Sequence, residues 1–275
     1  PTGHVVDPGV VVRLHRVLAD EWVRKGIADC GARGVQGLAV RDVYGRAPSS
    51  DRTNDFATGS TAMETRAAIL WEPNAPWSVE TITLDPPKAG EVLVEMVASG
   101  MCHSDDHART GDLPAIQPLI GGHEGAGIVL EVGPNVTTVA PGDHVVFSFV
   151  PACGHCPSCA DGHSNLCDNG AALLVGAQLD GTTRHHAADG TDLWTMVCLG
   201  TFGEHTVVNE MSCVEIEDDI PLELACLVGC GVTTGWGSSV YAAEIKPGDN
   251  VAVIGCGGIG SAAVQGARLA GARNI

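Results

Sequence analysis

The chain has 275 residues, with 15 Lys and Arg against 33 Asp and Glu, a formal charge of −18. That balance argues against a nucleic-acid binder, which needs a basic face to displace counterions, and against docking on anionic membranes. With 44% hydrophobic and 17% charged residues a sizeable core can form, and no apolar run approaches the roughly 18 residues of a membrane helix.

The charge divides unevenly. Residues 1–62 carry eight basic and seven acidic side chains, and the remainder carries seven and 26. Within 1–62, Leu14, Val17, Leu18 and Trp22 suit one face of a short helix, and no sustained period follows Cys30. The short apolar run before Arg13 is no secretory signal. Residues 1–62 are expected to be an atypical leader, either disordered or translated upstream of a natural start at Met63.

From Met63 the pattern changes. Residues 65–71, 91–97, 128–132 and 144–149 read as strands, separated by turns such as Asp85-Pro-Pro-Lys-Ala-Gly90 and Pro141-Gly-Asp. Short strands punctuated by Gly and Pro predict a β-rich lobe. Small and apolar residues over 226–241 suit a helix. Residues 251–254 form a continuous apolar strand suited to burial on both faces, and 259–269 has helical spacing.

Three residues of the lobe are candidates for an open metal site. Cys102, His123 and Cys230 each sit beside small residues, in Gly100-Met-Cys-His-Ser-Asp, Gly121-Gly-His-Glu-Gly and Gly229-Cys-Gly. Two thiolates and an imidazole leave a fourth position for water or substrate. Taken singly, each reads as readily as a buried thiol or a satisfied imidazole. Cys153, Cys156, Cys159 and Cys167 supply four thiols within 15 residues. A structural zinc wants such a closed tetrahedron of soft donors, and two-residue gaps let neighbouring thiolates converge. On ligand type alone an iron–sulfur cluster also fits. Clustered thiols without a secretory signal point to metal binding in a reducing, cytoplasmic setting.

Gly255-Cys-Gly257-Gly258-Ile-Gly260 fits G-x-G-x-x-G between a predicted strand and a predicted helix, the context that gives this pattern meaning. Its glycines allow a tight turn, close approach of a pyrophosphate and close helix–strand packing. The ribose-binding acid, expected about 20 residues further on, would lie past Ile275.

Gly122-His-Glu-x-x-Gly127-x5-Gly133-x-x-Val136, Cys102-His-Ser-Asp-Asp-His107, the four-Cys segment and Gly229-Cys-Gly-Val-Thr-Thr-Gly235 occur in an order that resembles the zinc-dependent medium-chain alcohol dehydrogenases. Trp71-Glu-Pro, Pro76-Trp-Ser-Val and Gln178-Leu-Asp-Gly look like the actinobacterial nicotinoprotein branch, in which the cofactor stays bound and an artificial nitrosoaniline acceptor can reoxidise it. The resemblance implies an α/β fold: a β-rich GroES-like catalytic domain (63–240) followed by the first βα unit of a Rossmann domain (241–275). It implies one catalytic zinc on Cys102, His123 and Cys230, one structural zinc on the four-Cys set, and NAD. Zinc would polarise the alcohol oxygen of a primary alcohol/aldehyde pair. Ser104 would pass the proton by the cofactor ribose to His107. Asp105 would orient His123, and Glu124 would lie behind the metal. Thr234 and the glycines 255, 257, 258 and 260 would meet the cofactor, as would His103, where many relatives carry Arg. Phe149 and Phe202 would line the substrate pocket, and the full-length protein would form a homo-oligomer. Alternatives are an inactive zinc-binding fragment and a formaldehyde or thiol-adduct dehydrogenase. Apart from the resemblance, Ser104 could cap a helix over Asp105-Asp-His-Ala.

Overall fold

A computed structural model describes residues 11–13, by backbone alone, and 61–275. The expected leader of 1–62 lies otherwise outside the described residues. Strands β1 (Val11–Arg13), β4 (Glu91–Gly100), β6 (Glu124–Val132), β7 (His144–Phe147), β10 (His205–Asn209) and β11 (Cys213–Glu215) form one sheet. Strands β2 (Met63–Leu70), β3 (Ser78–Leu84), β5 (Leu119–Ile120), β8 (His185–His186) and β9 (Asp192–Thr195) close into a barrel.

Apolar burial explains both. Ile69, Ile82, Ile120 and Leu193 fill the barrel. Val92, Val94, Met96, Val129, Val145 and Phe147 pack on one face of the sheet. Leu222, Ala225 and Cys226 cover Ala98, Ala126 and Val146 on another part of it. β4 therefore alternates less than a half-exposed strand would, because it meets core on both sides. It pairs antiparallel with β6 up to Gly100↔Glu124, a register that delivers the residues after β4 and before β6 to one place.

A buried ion pair joins β4 to the residue immediately before β8. The Arg184 guanidinium, 1% exposed, donates through Nε to Glu91 Oε2 at 2.8 Å and through Nη2 to Oε1, while Asp180 accepts a further bond at 2.9 Å. Next to it on β8, His185 is wholly buried. The Thr206 hydroxyl donates to the Leu199 carbonyl at 2.6 Å, leaving its oxygen to accept from His185 Nε2 at 3.3 Å. Burial pulls the His185 pKa down to about 3.

The helices are short: α1 (His103–Thr110), α2 (Pro157–Ala160), α3 (Asp168–Leu173), α4 (Leu222–Ala225), α5 (Gly231–Gly237) and α6 (Gly258–Leu269). The single helix predicted over 226–241 is interrupted. A 3-10 turn (Cys226–Gly229) precedes α5, and Cys230 stands between them at φ −141° and ψ −70°. Nor does Ser104 cap α1. The cap is Cys102, whose N–H donates to Asp105 Oδ2 at 3.0 Å.

The predicted strand before the glycine-rich turn forms no ladder among the described residues. Val251 and Val253 are half-buried and Ile254 is fully exposed, with a bridge at Asn250↔Asn274 beside them. A strand is a paired object, and among the described residues this segment's pairing is limited to contacts with the 273–274 segment, such as Val251 N to the Asn274 carbonyl at 2.9 Å. The helix after it does form. α6 packs on α5 where Gly235 and Gly266 remove side chains: a Cβ at Gly235 would lie 2.2 Å from the Ile259 carbonyl.

Candidate metal centre

The open cluster assembles at three chain breaks. β4 ends at Gly100, and two residues later Cys102 caps α1. β5 ends at Ile120, and His123 is the last residue before β6. Cys230 occupies the break before α5. Ligand atoms of Cys102, His123, Glu124 and Cys230 lie within 4.8 Å of one another. Glycines permit the approach. A Cβ at Gly100 would lie 2.1 Å from Glu124 Oε2, and one at Gly229 would lie 2.5 Å from the Phe147 carbonyl.

Asp105, 3% exposed, organises the first two ligands. Oδ1 accepts from Gly122 N at 3.0 Å and faces His123 Nδ1 at 3.2 Å, while Oδ2 takes the Cys102 N–H. This fixes the imidazole with Nδ1–H on the carboxylate and leaves Nε2 for the cluster. Bonding to Cys230, aided by His123 and Ser104, holds the Cys102 thiol down at about 3, so that it stands as a thiolate. Cys230 is displaced the opposite way, upward, by the same thiolate and by burial. Burial opposes a charge on His123, but Asp105 and Cys102 outweigh it and hold the imidazole up at about 10. Thiol and imidazole ligate in their deprotonated forms, so metal binding here would displace the protons held on His123 and Cys230. The soft two-thiol, one-imidazole set fits zinc.

The four-Cys residues also converge within 4.8 Å. Backbone N–H groups point at the sulfurs: Cys156 N at Cys153 (3.3 Å), Cys159 N at Cys156 (3.5 Å), and Cys153 N and Gly170 N at Cys167 (3.3 and 3.4 Å). Burial opposes ionisation of Cys167, but the N–H groups of Cys153 and Gly170, with the Cys153 and Cys159 side chains, outweigh it and hold that thiol down at about 6. The donor set is closed and all sulfur, one of the four-ligand sets that a structural zinc takes. His155 and His163 beside it are exposed.

The remaining candidates fall around the open cluster to differing degrees. Ser104 Oγ lies 3.6 Å from Cys102 Sγ, and Thr234 Oγ1 lies 4.0 Å from Cys230 Sγ. Phe149 sets its ring edge-on to His123, with centroids 5.9 Å apart, and Phe202 packs edge-on against Trp77 at 5.8 Å. His103 and His107 meet edge-to-face, with centroids 4.4 Å apart, on the exposed face of α1. In the dinucleotide motif Gly255 has φ +98°, α6 opens at Gly258, and a Cβ at Gly260 would lie 2.0 Å from the Gly255 carbonyl. The tight turn and the close approach of Gly260 to Gly255 expected of this motif are present, whereas the strand expected before it forms no ladder among the described residues.

Sequence reasoning missed Trp77 as a neighbour of Phe202, and Ser99 and Thr201 beneath His123. Both hydroxyls lie within hydrogen-bonding distance of the Glu124 carbonyl. Nothing in local sequence marks them, since they meet only where the turn carrying Thr201 packs on β4 and β6.

The family description "Alcohol dehydrogenase GroES-like domain" matches residues 88–218. The chain is 55% identical over 215 residues to alcohol dehydrogenase B of Mycobacterium tuberculosis, covering 78% of this chain and 57% of that one. It is 52% identical over 213 residues to an NDMA-dependent alcohol dehydrogenase of Amycolatopsis methanolica, with the same two shares. The crystal structure of an alcohol dehydrogenase zinc-binding domain protein from Burkholderia ambifaria superposes with a TM-score of 0.72 at 39% identity, covering 77% of this chain and 58% of that one. The chain therefore spans little more than half the length of the relatives it matches.

Proposed function

The chain belongs to the zinc-dependent medium-chain alcohol dehydrogenases, and from that premise we propose that it supplies the catalytic lobe of an enzyme interconverting a primary alcohol and its aldehyde. The observation that carries this reading is the convergence of Cys102, His123 and Cys230, ordered by Asp105 and bordered by Ser104. When bound, zinc supplies Lewis acidity toward the alcohol oxygen and a nicotinamide cofactor supplies the hydride acceptor.

The chain's own residues do the rest. Cys102, His123 and Cys230 hold the metal and leave one position open. Asp105 keeps His123 Nδ1 protonated and its other nitrogen free. Ser104, at the edge of the cluster, would accept the alcohol proton on Oγ while releasing its own hydroxyl proton, and His107, three residues on along α1, would take up that released proton and return it to solvent. Phe149 and Phe202 present apolar edges that exclude water from the reacting alcohol. The glycine-rich turn and Thr234 receive the cofactor, which we take to be NAD retained through turnover, as the likeness to the Amycolatopsis enzyme supports. The free thiols that both clusters need suit a reducing cytoplasmic compartment.

The test begins with metal analysis. The purified chain should bind two zinc ions. Cys102→Ser and Cys156→Ser should each lose one, and a single zinc in the unsubstituted chain would overturn the reading. In a form extended to the length of its relatives, Cys102→Ser should lower alcohol oxidation at least 1000-fold, assayed with both NAD and a nitrosoaniline acceptor.

A further inference from the structure

We propose that Thr201 is a positioning residue for His123, gripping the backbone on both sides of that residue and so fixing the direction in which the imidazole enters the ligand cluster. The proposal rests on the metal reading above.

Thr201 is wholly buried. Its N–H donates to the carbonyl of Gly122, immediately before His123, at 3.1 Å. Its hydroxyl lies 3.1 Å from the carbonyl of Glu124, immediately after His123. The Ser99 hydroxyl completes a triangle, 2.9 Å from the same carbonyl and 2.7 Å from Thr201 Oγ1. Two hydroxyl protons thus serve three short contacts around one buried acceptor. Asp105 holds the ring from its far side. Thr201 holds the peptide that carries it.

Two glycines make room for this side chain. A Cβ at Gly122, which has φ +90°, would lie 2.4 Å from Thr201 Oγ1, and a Cβ at Gly125 would lie 2.6 Å from Thr201 Cγ2. Hydroxyl and methyl therefore each occupy space vacated by a glycine, one on either side of the His123–Glu124 pair. The turn presenting Thr201 is unusual. Val197 and Cys198 stand at φ 46° and 59°, a region that side-chain-bearing residues avoid. Buried Cys198 and Leu199 anchor that turn. Such a conformation persists only where its surroundings over-determine it, so Thr201 is delivered from a fixed base.

Metal affinity decides the matter, with the four-Cys site as an internal reference. Zinc competition against a chromophoric chelator, and the thiolate-to-metal absorption of cobalt(II), would be measured on the purified chain and its variants. Thr201→Val keeps the volume and removes the hydroxyl. It should leave the four-Cys site unchanged and weaken the Cys102–His123–Cys230 site at least tenfold, within the 10–100-fold range for outer-shell partners, with a shifted cobalt band. Thr201→Ser should restore affinity to within about threefold, since it keeps the polar partner. Equal binding of both metals by Thr201→Val overturns the proposal, and so does a Thr201→Ser variant as weak as the valine one. Should Thr201→Val fail to fold, Ser99→Ala decides. It should weaken only the open site, and unchanged affinity there overturns the proposal. An open cluster that binds no metal in the unsubstituted chain overturns both this proposal and the reading on which it rests.

Discussion

The carboxylate of Glu124 accepts the N–H of Gly231 at 2.8 Å, linking residues 107 positions apart. Its other oxygen covers Gly100, so one side chain ties the loop of Cys102 to the break that holds Cys230. Burial raises its pKa, with the Gly231 N–H opposing. Glu124→Ala strands that N–H in a half-buried position, which costs about 1–3 kcal/mol. The expected outcome is a roughly tenfold loss of zinc affinity at the open site, and Glu124→Gln, which keeps an acceptor oxygen, should lose less. Chelator competition measures both.

Asp105 has two oxygens serving three donors. Asp105→Asn replaces one oxygen with an NH2 group, so at least one of Cys102 N, Gly122 N and His123 Nδ1 loses its acceptor. Zinc affinity at the open site should fall about 10–100-fold while the four-Cys site is unaffected. Equal affinity at both sites in the variant would show that the carboxylate does not orient His123.

The Glu91–Arg184 pair is stabilising only while intact. Arg184→Met leaves the buried Glu91 carboxylate without its partner and should cost about 3–5 kcal/mol of unfolding free energy in urea titrations. The double variant Glu91→Gln, Arg184→Met should recover part of that loss, because no unpaired charge remains.

His185 makes stability depend on pH. Its folded pKa, about 3, lies below the ordinary histidine value near 6.5. Between these limits the unfolded chain binds the extra proton, so stability is full above about pH 6.5 and declines as pH falls toward 3. Going from pH 6.5 to 4.5 should remove about 2 kcal/mol through this residue alone. His185→Gln should flatten that part of the acid limb, read as the difference between urea midpoints at the two pH values. An unchanged slope would mean that His185 takes up its proton in the folded state.

Much of the fold was legible because strands here alternate or run apolar between Gly and Pro turns. The reading over 91–97 falls within observed β4, and that over 128–132 within β6. What failed were features fixed by tertiary partners. Residues 251–254 have the composition of a buried strand but, among the described residues, form no ladder beyond the bridge at Asn250↔Asn274. The helical pattern over 226–241 carries no sign that Cys230 adopts φ −141° where it meets His123 and Cys102. The four-Cys set was legible by spacing alone. The open set was legible only as three scattered residues beside glycines, because the β4–β6 register, not the local sequence, brings two of them together.

The two clusters close loops of very different length. Cys153 to Cys167 spans 14 positions, whereas Cys102 to Cys230 spans 128. Loop-closure entropy then disfavours the longer by about 2 kcal/mol relative to the shorter. During synthesis the four sulfurs emerge together, 63 residues before Cys230 leaves the ribosome. The nascent chain therefore completes the four-sulfur set while the other cluster still lacks one of its three candidate ligands.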